Sequence, residues 1–218
     1  MTPRSMSRFR RSLTAAAFVA ALLPGASWAF SADDQAEIAK AEDYLNGIGT
    51  LKAHFMQANP SGDTAEGTVY LARPGRLRLE YDPPSPILVV THGTFLVYYD
   101  KQLDQTSYVD VDSTPAGVLV KPKVQLDQGE LKVVRVSRAS GVVNITVTKR
   151  EDPRQGNITL TFTEQPFQLR QWKVLDQQGQ TTVVSLFDAR SGMALDNQLF
   201  YFHDPKATDG PDLTTKGK

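Results

Sequence analysis

At 218 residues the chain has room for one sizeable core and is short for two full domains. Its 24 Lys and Arg balance 24 Asp and Glu, but Arg4, Arg8, Arg10 and Arg11 all sit in the first eleven residues. Without them 20 basic residues face 24 acidic ones, a net of −4, which speaks against nucleic acid as a partner. There is no cysteine, so neither a disulfide framework nor a lipid-attachment cysteine is available.

The basic start is followed by SLTAAAFVAALLPGASWA, an apolar run ending in Ser27-Trp28-Ala29. Small residues at the first and third of those positions suit a signal peptidase, so residues 1–29 are expected to be a signal peptide cleaved after about Ala29. The apolar core is about a dozen residues, whereas a spanning helix needs roughly 20. The pair Arg10-Arg11 has poor surroundings for a twin-arginine signal, and general secretion fits better. The expected product is a free protein in an extracytoplasmic space, the periplasm.

Residues 31–47, SADDQAEIAKAEDYLNG, predict a helix with Ser31 as its cap, early acids at its positive end and Asn46-Gly47 as its stop. Ile38, Ala41, Leu45 and Ile48 form one apolar stripe, so this helix covers something. Glu42-Asp43, like Asp33-Asp34 and Glu151-Asp152, reads as a solvated acidic pair.

Beyond the helix the pattern changes to period two. Strands are predicted near 50–58, 65–73, 76–82, 86–91, 94–99 and 104–110. A second set falls near 131–138, 142–149, 157–163, 167–176, 180–190 and 197–203. Asn59-Pro60-Ser61-Gly62, Pro74-Gly75, His92-Gly93, Ser140-Gly141, Gln178-Gly179 and Ser191-Gly192 mark turns between them. In DSTPAGVLVKP, Thr114 can cap and Pro115 can start a short helix that Lys121-Pro122 ends. A single domain is expected over 30–205, with a polar tail over 206–218.

About twelve short strands joined by tight turns suggest one antiparallel meander that curls or closes. The two helices would then lid a half-open barrel. Its many large apolar side chains are compatible with two interiors: a plain packed core, or an under-filled cavity suited to a lipid. If Arg73-Pro74-Gly75-Arg76 is a tight two-residue turn, 72 pairs with 77 and 70 with 79. Tyr70, Ala72, Leu77, Leu79 and Tyr81 then share one face. Pro-Gly fits such hairpins poorly, however, and a longer loop or bulge would redirect Arg73. Arg76 and Arg78 read as a solvated strand face, with Glu80 available as a partner.

Chemistry is sparse. His54, His92 and His203 have no metal-ligand spacing, and no G-x-S-x-G, phosphate-cradling loop or H-E-x-x-H occurs. The sequence points away from an enzyme, a metal site or a cofactor.

Read in order, LKAHFMQ (51–57), EGTVYLARPGRLRLEYDPP (66–84), ILVVTHGTFLVYYD (87–100), LDQTSYVD (103–110), STPAGVLV (113–120), LRQWKVLDQQGQTTVVSLFDA (169–189) and LFYFHDP (199–205) make an ordered set of landmarks. This order resembles the outer-membrane lipoprotein carrier family, the LolA family, over nearly the whole chain after the leader. The resemblance implies an incomplete antiparallel β-barrel lidded by short helices, and a monomeric carrier, not an enzyme. Such a carrier takes triacylated lipoproteins from an ATP-driven, ABC-type inner-membrane release complex. It shelters their acyl chains and delivers them to an outer-membrane lipoprotein receptor. It further implies that Arg73 latches the lid through backbone carbonyls, with Leu45 as the matching helix position. The acyl-chain cavity would then be lined by Tyr70, Leu77, Leu79, Tyr81, Phe95 and Trp172. Two other roles on the same fold stay open: a sensing adaptor for lipid or mislocalised lipoprotein, and a carrier of another lipid.

Overall fold

Helical and extended periodicities separate along the chain as the apolar spacing dictates. The computed structural model describes residues 30–206; the expected leader and the tail beyond Lys206 lie outside the described residues. Helix α1 spans Ala32–Gly47, with Ser31 accepting a hydrogen bond from the Asp34 amide at its start. Ile38, Ala41 and Leu45 are its buried stripe. Gly47 stays helical, and Ile48 is the extended residue that ends the helix.

Eleven strands follow: β1 Thr50–Ala58, β2 Thr64–Ala72, β3 Arg76–Tyr81, β4 Ile87–His92, β5 Phe95–Asp100, β6 Gln105–Asp110, β7 Leu131–Ala139, β8 Val142–Lys149, β9 Asn157–Glu164, β10 Phe167–Leu175 and β11 Thr181–Ser191. They form one antiparallel sheet in the order β6-β5-β4-β3-β2-β1-β11-β10-β9-β8-β7. The single meander expected from the sequence is therefore two meanders, β1–β6 and β7–β11, joined where β1 pairs with β11. β6 and β7 are free edges, so the barrel is incomplete.

Residues 111–130 run from one free edge to the other and include a short 3-10 helix, Pro115–Val120. Proline occupies its first turn, but the Thr114 hydroxyl bonds the Val111 carbonyl instead of capping it. The strand expected at 197–203 is instead a 3-10 turn, Asn197–Phe200, followed by extended chain. The Asp196 side chain accepts from the Gln198 amide and starts that turn.

Most of the core lies on the concave face. Phe55, Val69, Ile145, Val147, Leu160, Phe162 and Leu186 are almost wholly buried there. α1 lies over β9 and β10: Tyr44 meets Phe162 and Phe167 edge-on at 5.8 and 5.9 Å, and those two rings stack at 5.0 Å. Arg138 on β7 holds the helix start, donating to Asp34 and to the Asp33 carbonyl at 2.9 Å each.

Candidate functional site

The β2–β3 hairpin decides where its residues point. Ala72 pairs with Arg76, Leu71 with Leu77, Val69 with Leu79 and Gly67 with Tyr81. The loop is thus the three residues Arg73, Pro74 and Gly75, with Gly75 at φ +77. That left-handed position is one a glycine takes without strain. A two-residue turn would have paired 72 with 77, so the register is one residue away from that expectation. Because side chains alternate, one residue changes the partner set of every position.

Leu77, Leu79 and Tyr81 point into the concave face and are buried. The Tyr81 hydroxyl donates to Gln57 at 2.5 Å, and burial pushes its phenol well above the ordinary tyrosine range. Trp172 pairs with Leu160 and Val184 and is buried on the same concave side. Tyr70 does not join them. It pairs with Arg78 and Lys52 on the outer face, where the Lys52 ammonium lies 5.4 Å from its ring. Phe95 is also outside: it alternates with Val97 and Tyr99, and its ring meets Tyr108 at 6.2 Å.

Arg73 leaves the hairpin loop toward the lid. Its Nη1 donates to the Leu45 carbonyl in the last turn of α1, and its Nη2 donates to the Lys121 carbonyl just after Pro115–Val120. Its own amide donates to Gly49 at 2.8 Å, and the Gly75 amide donates to Val120 at 2.8 Å. The last turn of a helix leaves carbonyls without intrahelical donors and carries partial negative charge. α1 has no basic residue there, so Arg73 supplies from outside the cation the helix lacks. Burial lowers the Arg73 pKa, while the guanidinium stays charged.

The sequence hid other contacts. Asn46 and Glu42 bond the backbone of residues 124 and 126, so neither is a simple stop or a solvated acid. Arg76 and Arg78 are not a solvated face either. Arg76 donates to Asn197 and lies 5.5 Å from the Phe200 ring; Arg78 donates to the Leu199 carbonyl at 3.1 Å and to Glu80. They hold the C-terminal segment against the outer face. Lys121 carries a second load: its ammonium bonds Glu130 at 2.9 Å and Asp112 at 3.3 Å. Burial opposes that charge, but the two carboxylates outweigh it and raise the Lys121 pKa.

The space between Pro115–Lys121 and strands β7–β9 is a cavity of about 20 Å3. That is room for one water molecule. Among the described residues no group of three or more His, Cys, Asp or Glu could hold a metal, and no helix is long and apolar enough to cross a membrane.

The family model described as outer membrane lipoprotein carrier protein LolA matches residues 46–203. An outer-membrane lipoprotein carrier protein of Pseudomonas aeruginosa is 30% identical over 203 residues, covering 88% of this chain and 95% of that one. One from Azotobacter vinelandii is 28% identical, covering 81% and 88%. Among solved structures, a LolA superfamily protein from Nitrosomonas europaea overlays with a TM-score of 0.44 at 11% identity, covering 78% of this chain and 97% of that one.

Proposed function

The chain belongs to the outer membrane lipoprotein carrier protein LolA family, and on that premise we propose that it is a periplasmic lipoprotein carrier, exported by a signal peptide cleaved after about Ala29. It receives triacylated lipoproteins from an ABC-type inner-membrane release complex, covers their acyl chains and passes them to an outer-membrane receptor. It does so as a monomer, with no catalytic step and no cofactor.

The observation that carries this reading is the position of Arg73. One guanidinium from the β2–β3 hairpin holds both lid elements, through the Leu45 and Lys121 carbonyls, over an apolar concave face. The five donors of a guanidinium lie in a fixed fork, so two carbonyls on different elements can be held at once. Each such bond contributes about 1.5–3 kcal/mol. Acyl chains supply about 0.8 kcal/mol per buried CH2, so a few methylenes offset the latch. Cargo can therefore open the lid, and closure favours its release. Leu77, Leu79, Tyr81 and Trp172 are the proposed acyl-facing residues, with the inner wall near Tyr98 and Val109 as the open side. Tyr70 and Phe95 are left out because they lie on the other face.

The test is a release assay. Mature protein is added to spheroplasts carrying a labelled outer-membrane lipoprotein, and the soluble fraction is probed for a one-to-one complex. The carrier reading expects cargo in the supernatant bound to this protein. Arg73→Leu is expected to load but to hand over poorly, because the preference for the empty closed state is gone. Lipoprotein left in the membrane, together with a different lipid extracted from the purified protein, would move the function to a carrier of that lipid. Normal handover by Arg73→Leu would remove the latch.

A further inference from the structure

Arg73 can hold two carbonyls only if something keeps those carbonyls side by side. Glu42 and Asn46 lie one helical turn apart on α1, on a stripe beside the apolar one at Ile38, Ala41 and Leu45. The apolar stripe is the buried one; the polar stripe bonds the chain that follows Pro115–Val120. Asn46 pairs with Val124 as a neighbouring strand would: its Nδ2 donates to the Val124 carbonyl at 2.9 Å, and the Val124 amide donates to its Oδ1 at 2.8 Å. One turn earlier, the Leu126 amide donates to Glu42 at 2.6 Å. Val124 and Leu126 are wholly buried. Their backbone groups are shielded from water, and separating the two elements would strand them.

The far end of this segment is anchored elsewhere. The Val133 amide donates to Asp127 at 2.9 Å, and Arg150 donates to the Asp127 carbonyl at 3.1 Å. The near end is held to the hairpin by Arg73 and by the Gly75 amide. Between those ends, residues 124 and 126 bond α1 through their backbone.

We propose that α1 and residues 118–126 form one lid that opens and closes as a unit. Asn46 and Glu42 are its positioning residues, setting the Lys121 carbonyl beside that of Leu45 so that a single arginine can release both together. The use of this lid in handover rests on the carrier reading; the mechanical coupling does not.

Hydrogen exchange of the cargo-free mature protein, read by mass spectrometry, tests the coupling. Asn46→Ala is expected to speed exchange about 10- to 100-fold in both 41–47 and 118–126, by a common factor, as loss of two hydrogen bonds to a buried backbone does. Peptides of β8 and β9 should keep their wild-type rates, which excludes general unfolding. Asn46→Asp keeps the acceptor for Val124 and should fall between. Glu42→Gln keeps an acceptor for Leu126 and should match wild type, whereas Glu42→Ala should not. Faster exchange in 118–126 with α1 unchanged, or no change in either, would overturn the single lid. Because no cargo is present, failure of the release assay would leave this result standing, and the reverse holds as well.

Discussion

The two ends of the sheet bury opposite faces. In β8 and β9 the concave face is sealed: Val143, Ile145, Leu160 and Phe162 are fully buried, while the outer face carries Asn144, Thr146, Thr159 and Thr161. In β4 and β5 the order reverses. Val90 and Val97 are fully buried on the outer face, on the side where Phe200 and Phe202 of the C-terminal segment lie. On the inner wall of β5 and β6, Tyr98 and Val109 remain exposed, at 44% and 42%. α1 covers one half from the concave side, and the C-terminal segment stabilises the other from behind. A barrel built this way can keep part of its apolar lining bare without losing the packing that holds it together. Bare lining is what the proposed carriage of acyl chains would require, and it lies at the β5–β6 end.

The sharpest way to break this comparison is to put a charge on each face of the β5–β6 end. Val97→Asp buries an unpaired carboxylate, and a loss of more than about 4 kcal/mol is expected in denaturant unfolding. Val109→Asp, on the bare inner wall, is expected to change stability by no more than about 0.5 kcal/mol while weakening acyl-chain binding. Equal losses from the two would mean that the C-terminal segment does not cover one face and leave the other. The two halves can be compared through aromatic rings in the same way. Phe162→Ala removes a ring packed against Tyr44 and Phe167 and should cost about 3–4 kcal/mol. Tyr98→Ala, on the open half, should cost less than about 1 kcal/mol. A large loss at Tyr98 would show that the open half is core.

The reversal of buried faces also explains what could be read in advance. The helix stripe, the bounds of all eleven strands to within one residue and most turn glycines follow from spacing that needs no partner. Which face is concave does not. Phe95, Val97 and Tyr99 alternate as well as any inward-facing run, but Tyr99 packs on Phe202, about a hundred residues later, and Phe95 stays exposed. The stretch 197–203 alternates too, and turns at Asp196 because it packs on a finished sheet instead of extending it. Tyr70 was misplaced for a smaller reason: the loop holds three residues and not two, and the dipeptide Pro-Gly allowed either. Arg73 stood out through its place in the R-P-G turn and through family resemblance. Asn46 and Glu42 carried no such signal. An asparagine before a glycine at a helix end reads as a stop, and only the fold brings Val124 to it.

The weakest expected effect concerns the start of the cover on the sealed half. Hydrogen bonds from Arg138 and Ser31 hold the Asp34 carboxyl below its ordinary value of 3.8. The folded state therefore binds that proton less tightly than the unfolded chain does. The stabilisation is present above pH 3.8 and is lost as pH falls through the lower, folded value. Arg138→Ala should lower stability slightly at neutral pH, with the deficit closing as the pH drops below 3.8 and Asp34 is protonated in both proteins. Unfolding curves of the two proteins across that range provide the measurement. A deficit that persisted unchanged into acid would assign the role of Arg138 to its bond with the Asp33 carbonyl, which does not titrate. The helix would then be pinned to β7 by its backbone, and the cover on the sealed half would be indifferent to pH.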